Sequence, residues 1–472
     1  VHNKNTAYVC FNHHRYGDFK PYLLKTTDGG KSWTPIQSNL PQRGSVYSIA
    51  EDHVDPDLLF TGTESGVFFS NNGGKEWIQL KAGLPTVPVR DLEIQRREND
   101  LVIATFGRGF YVLDDYSVLR SFKKEAAQQT AAIFPIKESL MFIERFPLGL
   151  RDKGHLGSSY FSTPNPPVGA VFTYYLKDDI KKLKEKRTEA EKAKYERNEK
   201  VYYPTLDSLR MEDLQPDPYL LFTIRDKAGN VVRHLKAPAK KGLQRIVWDF
   251  RYGVSAPVNG RSIPAPDQLF GGEEKGHLAE PGQYSVSLAK YEDGLLTELV
   301  APVSFNCKLL EQNSLPVNMQ ENVGFYKQVA ALRKATTATA DLLNDMGGRL
   351  RTIQQAVLDM PAPAKTILEK ASDLMKQYQQ INQALNGDQS RARREFETLP
   401  GVTALVGGLE SNIRNSTNKI TAAFRSNYAI ASQALTGILS DMKQLEASIQ
   451  QLEKELELNK APYTPGRWPE WK

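Results

Sequence analysis

The chain has 472 residues, of which 40% are hydrophobic and 10% aromatic; it is too long for one core and too apolar for a disordered chain, and implies about two to four domains. Its 61 basic and 55 acidic residues leave a net charge of +6, too mild and too mixed for a nucleic-acid-binding face. No run of about 18 apolar residues occurs, so no segment reads as a membrane-spanning helix.

The first strand-like stretch, Asn5-Thr6-Ala7-Tyr8-Val9-Cys10-Phe11, has no signal-peptide pattern ahead of it. The chain is therefore expected to begin inside a domain, as part of a longer precursor. Cys10 and Cys307 fall in what read as different domains. They are either two small buried hydrophobes or an interdomain disulfide, and no zinc-site spacing is present.

A repeat follows. Thr26-Thr27-Asp28-Gly29-Gly30-Lys31-Ser32-Trp33 returns as Ser70-Asn71-Asn72-Gly73-Gly74-Lys75-Glu76-Trp77, an offset of 44 (72 − 28). Gly66 and Gly109 head a second pair of matching stretches, at an offset of 43 (109 − 66). A period of about 40 to 45 residues fits a four-stranded propeller blade. Within a unit, a strand at 46–50 leads through an Asp-Pro turn to strands at 58–62 and 66–70, and the repeated box makes the next hairpin. Asp28 or Asn72 can hydrogen-bond the backbone of its own turn, Gly30 and Gly74 accept positive φ, and Trp33 and Trp77 can fold back over the hairpin. These six residues read as structural, not catalytic.

The boxes resemble the Asp-box, or bacterial neuraminidase repeat, of sialidases, some glycoside hydrolases and sortilin-type propellers. His14-Arg15-Tyr16-Gly17-Asp18-Phe19-Lys20-Pro21-Tyr22 and Thr105-Phe106-Gly107-Arg108-Gly109-Phe110-Tyr111-Val112-Leu113-Asp114-Asp115 are similar to large bacterial sortilin-like proteins, many from Bacteroidota. Those often carry a "glycosyl hydrolase" label that rests on fold alone, and their second motif usually begins with His where this chain has Phe106. The resemblance implies that residues 1–118 are the last blades, about two and a half of them, with the others upstream or on another chain. It also implies an extracytoplasmic place (secreted, periplasmic or cell-surface) and recognition of a peptide or protein. Arg15, Tyr16, Asp18 and Arg108 are the candidate ligand-facing residues.

Residues 119–312 alternate as short strands with turns at 226–230 and 293–294, which suggests a β-sandwich with Trp248 as a core anchor. Gly229-Asn230-Val231-Val232-Arg233, Trp248-Asp249 and Pro281-Gly282-Gln283-Tyr284 resemble the Ig-like domains of flagellar hook-capping and bacterial surface proteins. Inside it, residues 177–200 hold ten basic and seven acidic residues in 24. Glu185 and Glu189 oppose Lys181 and Lys192, so this insert reads as a solvated helix or helical hairpin, or as a docking arm.

Residues 316–460 turn helical. Val329, Leu332, Thr336, Thr339, Leu343, Met346, Leu350, Ile353, Val357 and Met360 step by three and four along a helix of about 36 residues, ended by Pro361 and Pro363. A second stripe runs from Ile367 to Leu385 and stops at Gly387; a third runs from Ile420 to Leu456. These predict an antiparallel bundle or an intermolecular coiled coil. The tail, 461–472, is expected to be extended, with Trp468 and Trp471 packing on the protein's own surface or on a partner.

No nucleotide loop, nucleophile elbow or metal motif occurs, so no cofactor is implied. Arg15, Arg43, Arg90, Arg108, Tyr16, Tyr111, Asp18 and Asp91 are available to a sialidase-like site, but no spacing singles them out. A glycosidase would need two carboxylates across a cleft, for which Asp18 and Asp91 are the candidates, and His13, His14 and His53 are the metal or base candidates, with turn or surface roles the simpler reading. The sequence thus favours multidomain β plus α architecture and a non-catalytic binding or scaffold protein docked on a larger assembly, with a bacterial outer membrane as one setting. The alternative is a carbohydrate-active hydrolase whose site lies mostly upstream.

Overall fold

The computed structural model describes residues 2–81, 83–144, 163–254, 275–310, 317–360, 365–414 and 416–468. The chain is mixed β and α, with several sheets followed by a helical region.

Three antiparallel meanders come first. The first sheet is β1 (Ala7–His13), β2 (Asp18–Thr26) and β3 (Thr34–Pro35); the second is β4 (Val46–Glu51), β5 (Leu59–Thr63), β6 (Gly66–Ser70) and β7 (Ile78–Leu80). The third is β8 (Val89–Gln95), β9 (Asp100–Thr105) and β10 (Phe110–Leu113). Alternation sorts their apolar residues onto two faces. Leu59 and Phe68 meet Leu23 and Trp77 between the first and second sheets. Phe60, Val67 and Phe69 meet Leu92, Leu101 and Ile103 between the second and third.

Two short helices, α1 (Val118–Ser121) and α2 (Lys124–Gln128), then lead out. A buried polar knot secures this exit. Arg120 donates twice to Asp52, at 2.7 and 2.8 Å, and the Tyr116 hydroxyl donates at 2.6 Å. Asp52 is fully buried. Burial would raise its pKa, but the bonds from Arg120 and Tyr116 hold it well below the carboxylate range.

Two further sheets share one core. Strands β11 (Ala131–Ile133), β13 (Ala170–Leu176) and β16 (Gly242–Trp248) form one. The other runs β12 (Ser139–Met141), β18 (Leu295–Leu309), β17 (Gly282–Glu292), β14 (Tyr219–Asp226) and β15 (Val231–Pro238). Trp248 is the anchor expected of it, packed edge-on against Phe250, Tyr284 and Phe305. Strand β16 stops at Trp248, because Phe250 takes a left-handed conformation (φ 59°) and the Trp248 indole donates to the Arg251 carbonyl at 2.9 Å.

The charged insert is a helical hairpin, α3 (Leu183–Glu196) and α4 (Leu206–Leu214), and so extends beyond residue 200. Neither helix has a buried residue. Lys181 pairs with Glu189 as expected, but Glu185 instead accepts from the Lys182 backbone. Arg187 clamps the two helices through Glu212 on α4 and pairs also with Glu191 one turn along α3.

The helical region holds α5 (Met319–Leu358), α6 (Lys365–Asn386), α7 (Gln389–Ala392), α8 (Val402–Arg414) and α9 (Ala422–Leu458). The three seams read from sequence bury together within the chain. The two long helices correct the antiparallel expectation: Glu321 pairs with Arg425, and Arg349 with Glu446 and Glu453, so α5 and α9 run parallel. The return path is broken into α6 and α8. At 1.5 Å per residue their lengths sum to about 53 Å, close to the ~60 Å of α5, so a split helix fills the space of a whole one. The tail is corrected too. It folds back, with Ala461 and Thr464 buried and Arg467 donating to the Pro462 carbonyl, since Ala461 completes the bundle core. Pro361, Pro363 and Trp471 lie outside the described residues. Cys10 and Cys307 are both free thiols, which removes the disulfide alternative; Cys307 is buried and Cys10 half-buried.

Candidate functional site

The two repeated boxes are wired alike. Asp28 accepts from the Ser32 hydroxyl (2.6 Å), the Ser32 amide (3.0 Å) and Thr26 (2.8 Å), while Thr26 accepts from the Gly30 amide. Those bonds, led by Ser32, hold its carboxyl well below the usual range. Asn72 accepts from the Glu76 amide and Ser70, and Ser70 accepts from the Gly74 amide. Gly30 and Gly74 sit at φ 90° and 89°, and a Cβ on Gly74 would lie 2.9 Å from Ile36. With their polar atoms spent on their own turns, the box residues hold structure together. The tryptophans differ. Trp33 folds over Gly30 and stays 41% exposed, whereas Trp77 is 3% exposed and packs on the neighbouring unit.

The opposite end of the same strands gathers a different chemistry. Three contacts line it up: the Gly44 amide donates to the Phe19 carbonyl, Glu64 to Ser45, and Phe106 to Pro88. On this frame the Arg43 guanidinium lies 5.2 Å from the Phe19 ring. Arg90 lies between two rings, 3.9 Å from Tyr47 and 5.2 Å from Phe106. The Tyr47 hydroxyl donates to Glu64. Arg15 and Tyr16 stand on the β1–β2 turn and Arg108 on the β9–β10 turn, all exposed. Among the described residues no ion pair is formed by Arg15, Arg43, Arg90 or Arg108.

Of the expected ligand-facing residues, then, Arg15, Tyr16 and Arg108 are exposed at this end, Tyr16 with its ring against His13, and Asp18 is engaged. It accepts from the Tyr22 hydroxyl at 2.5 Å and the Lys20 amide at 3.1 Å, and these bonds, Tyr22 first, lower its pKa. A carboxylate kept ionised in this way is a poor proton donor. Tyr111 is half-buried against the core between the second and third sheets. Asp91 is exposed. The His13 ring lies tilted against Tyr16, His14 bonds Asn12, and His53 belongs to the Asp52 knot at the box end. Among the described residues no cluster of His, Cys, Asp and Glu could hold a metal. Trp468 is 92% exposed and does not pack on the protein's own surface.

Sequence reasoning missed Tyr47, Glu64 and Phe19. One signal was available: the offset of 43 that aligns Gly66 with Gly109 also aligns Tyr47 with Arg90 (90 − 47), placing both at the start of a sheet's leading strand.

No family model matches the chain, and no curated protein does. Among solved structures it is similar to the extracellular domain of a hybrid two-component system from B. thetaiotaomicron, at 7% identity over 61% of this chain, with a TM-score of 0.19. It is similar also to an ancestral GH74 enzyme, at 13% identity over 64% of this chain, with a TM-score of 0.19. The chain spans 29% and 36% of the lengths of those two proteins, and likenesses this distant carry no functional argument. Among the described residues no helix is long and apolar enough to cross a membrane.

Proposed function

We propose that this chain is a non-catalytic, extracytoplasmic binding and scaffolding segment that holds a peptide or protein partner at the arginine-bearing end of its first three sheets. The proposal takes those sheets as the closing blades of an Asp-box propeller, the next two as an Ig-like sandwich, and the helices as the part that positions both on a larger assembly. Three successive meanders with both boxes at one end support the first reading; the shared core around Trp248 supports the second.

One observation carries the binding role: Arg90 is held between the rings of Tyr47 and Phe106 without a carboxylate of its own. Ring contact orients a guanidinium at little entropic cost while leaving its N–H donors free for an acidic group. Exposed Phe106 beside it supplies apolar area for a binding surface, and exposed Tyr16 stands on the β1–β2 turn at the same end of the strands. Asp18, already engaged and ionised, favours binding over acid catalysis.

The test is recovery of partners by the full chain and by its Arg90→Ala and Phe106→Ala variants from cells that make it, quantified by mass spectrometry. The main partner should fall at least tenfold with either variant. Equal recovery by all three overturns the reading, as does a wild-type chain that always runs alone.

A further inference from the structure

Where the two-sheet core meets the helices, acceptors are spent and donors are left over. Arg251 donates to the Gly276 carbonyl at 3.0 Å and to the Arg414 carbonyl at 3.2 Å. Glu410 gives one carboxylate oxygen to Arg414 (2.8 Å) and the other to Arg333 (3.1 Å). The Nε of Arg414 and both ring nitrogens of His277 remain, buried and without a hydrogen-bond partner. Close by, the Nε of Arg233 is orphaned too, although its Nη1 donates to the Tyr252 carbonyl. Charge is unbalanced in the same sense. Lys275 has Asp249 at 3.8 Å, but among the described residues Arg251 and Lys327 form no ion pair, and Lys327 lies 5.1 Å from the Tyr252 ring.

Arg414 and His277 line one small cavity of about 10 Å³, with Lys275, Glu410 and the apolar Val329 and Ile413 around it. A volume of that order admits one water-sized occupant and no polyatomic anion. Buried polar groups left unpaired in this way point to a bound water or ion. A water would have to donate its two hydrogens to acceptors already engaged, apart from the second nitrogen of neutral His277, whereas arginine and lysine offer donors only. An anion needs no acceptor, and cations without counter-ions attract it strongly in a half-dry seam.

We propose that this cavity binds a monoatomic anion of the halide class, chloride foremost, and that the ion fastens the helices to the two-sheet core. It accepts from Arg414 Nε and from one nitrogen of His277. It sits among cations of both parts, Arg251 and Lys275 from the two-sheet side and Lys327 and Arg414 from α5 and α8.

The test compares thermal unfolding of the full chain in sodium chloride and in sodium gluconate at equal ionic strength, which cancels general screening. Chloride should raise the midpoint saturably, by about 2–4 °C, and the difference should vanish in Arg414→Gln and in His277→Phe. Equal midpoints in the two salts overturn the proposal, as does a difference that persists unchanged in both variants. Bromide soaked into crystals of the wild-type chain gives a reading that needs no variant: anomalous scattering should place the ion between His277 and Arg414. A map without a peak there, or a water at that point, overturns the proposal as well. A peak with no chloride effect in solution marks an adventitious ion only, and equally rejects the site.

Discussion

The Trp77 indole donates to the Ile36 carbonyl at 2.7 Å, while Asn39 brackets the Trp77 backbone by accepting from its amide and donating to its carbonyl. The second box is thereby fastened to the segment that follows the first. Trp77→Ala removes a buried ring and orphans the Ile36 carbonyl, and should cost about 3–5 kcal/mol. Trp33→Ala, on an exposed ring, should cost no more than about 1 kcal/mol. Hydrogen exchange across residues 18–80 for the two variants measures the difference.

The Asp52–Arg120 pair is a second fastening, and removing one partner leaves a charge in a dry site. Arg120→Ala should destabilise the three-sheet unit by about 3 kcal/mol or more. The Asp52 carboxyl is held below its unfolded value, so its contribution is present above about pH 4 and is lost as pH falls below that. Acid unfolding should therefore begin at higher pH in Tyr116→Phe, which removes one of the bonds keeping Asp52 ionised.

Adjacent glycines on α5 should respond with opposite signs. A Cβ on Gly347 would fall 2.6 Å from the Tyr378 ring on α6, while one on Gly348 meets nothing within 4 Å. Gly347→Ala should cost about 1–3 kcal/mol by separating the helices. Gly348→Ala should stabilise by up to ~1 kcal/mol through helix propensity. Denaturant titration of the pair, read as helical circular dichroism, decides.

His277 lies where the two-sheet core meets the helices, stacked on Tyr252 at 4.5 Å with Tyr326 edge-on and neither ring nitrogen hydrogen-bonded. Burial, and then the charges of Lys327 and Arg251, push its pKa down to about 4. A folded-state value below the unfolded one means the unfolded chain takes up the proton first. Stability contributed by neutral His277 is thus complete above about pH 6.5 and is lost toward pH 4, by roughly 2–3 kcal/mol between pH 7 and 4.5. His277→Phe should flatten that part of the pH–stability curve.

The α3–α4 arm is held by ion pairs at its base, such as Lys186 with Glu292, and buries nothing. Replacing residues 183–214 with a short Gly-Ser linker should leave the thermal transition of the remaining chain within about 1 kcal/mol of wild type. A larger drop would mean that the arm supports the sheet beneath it.

Much of the fold was legible because it is written in short-range periodicity. The box wiring spans four residues, from Asp28 to Ser32, and the seams of α5, α6 and α9 are spacings of three and four along single helices. The candidate site was legible only in part. Arg15, Tyr16 and Arg108 stand out as turn residues, but Arg90 acquires its setting from Tyr47 and Phe106, one on each side of it in sequence.

By itself, then, the sequence determined which segments form strands, boxes and helices, since those depend on neighbours within a few residues. The tertiary structure alone decided the parallel course of α5 and α9, the fates of Trp33 and Trp77, and the burial of His277. Each depends on which face of an element meets another, and pairing between distant segments is an energy no local pattern contains.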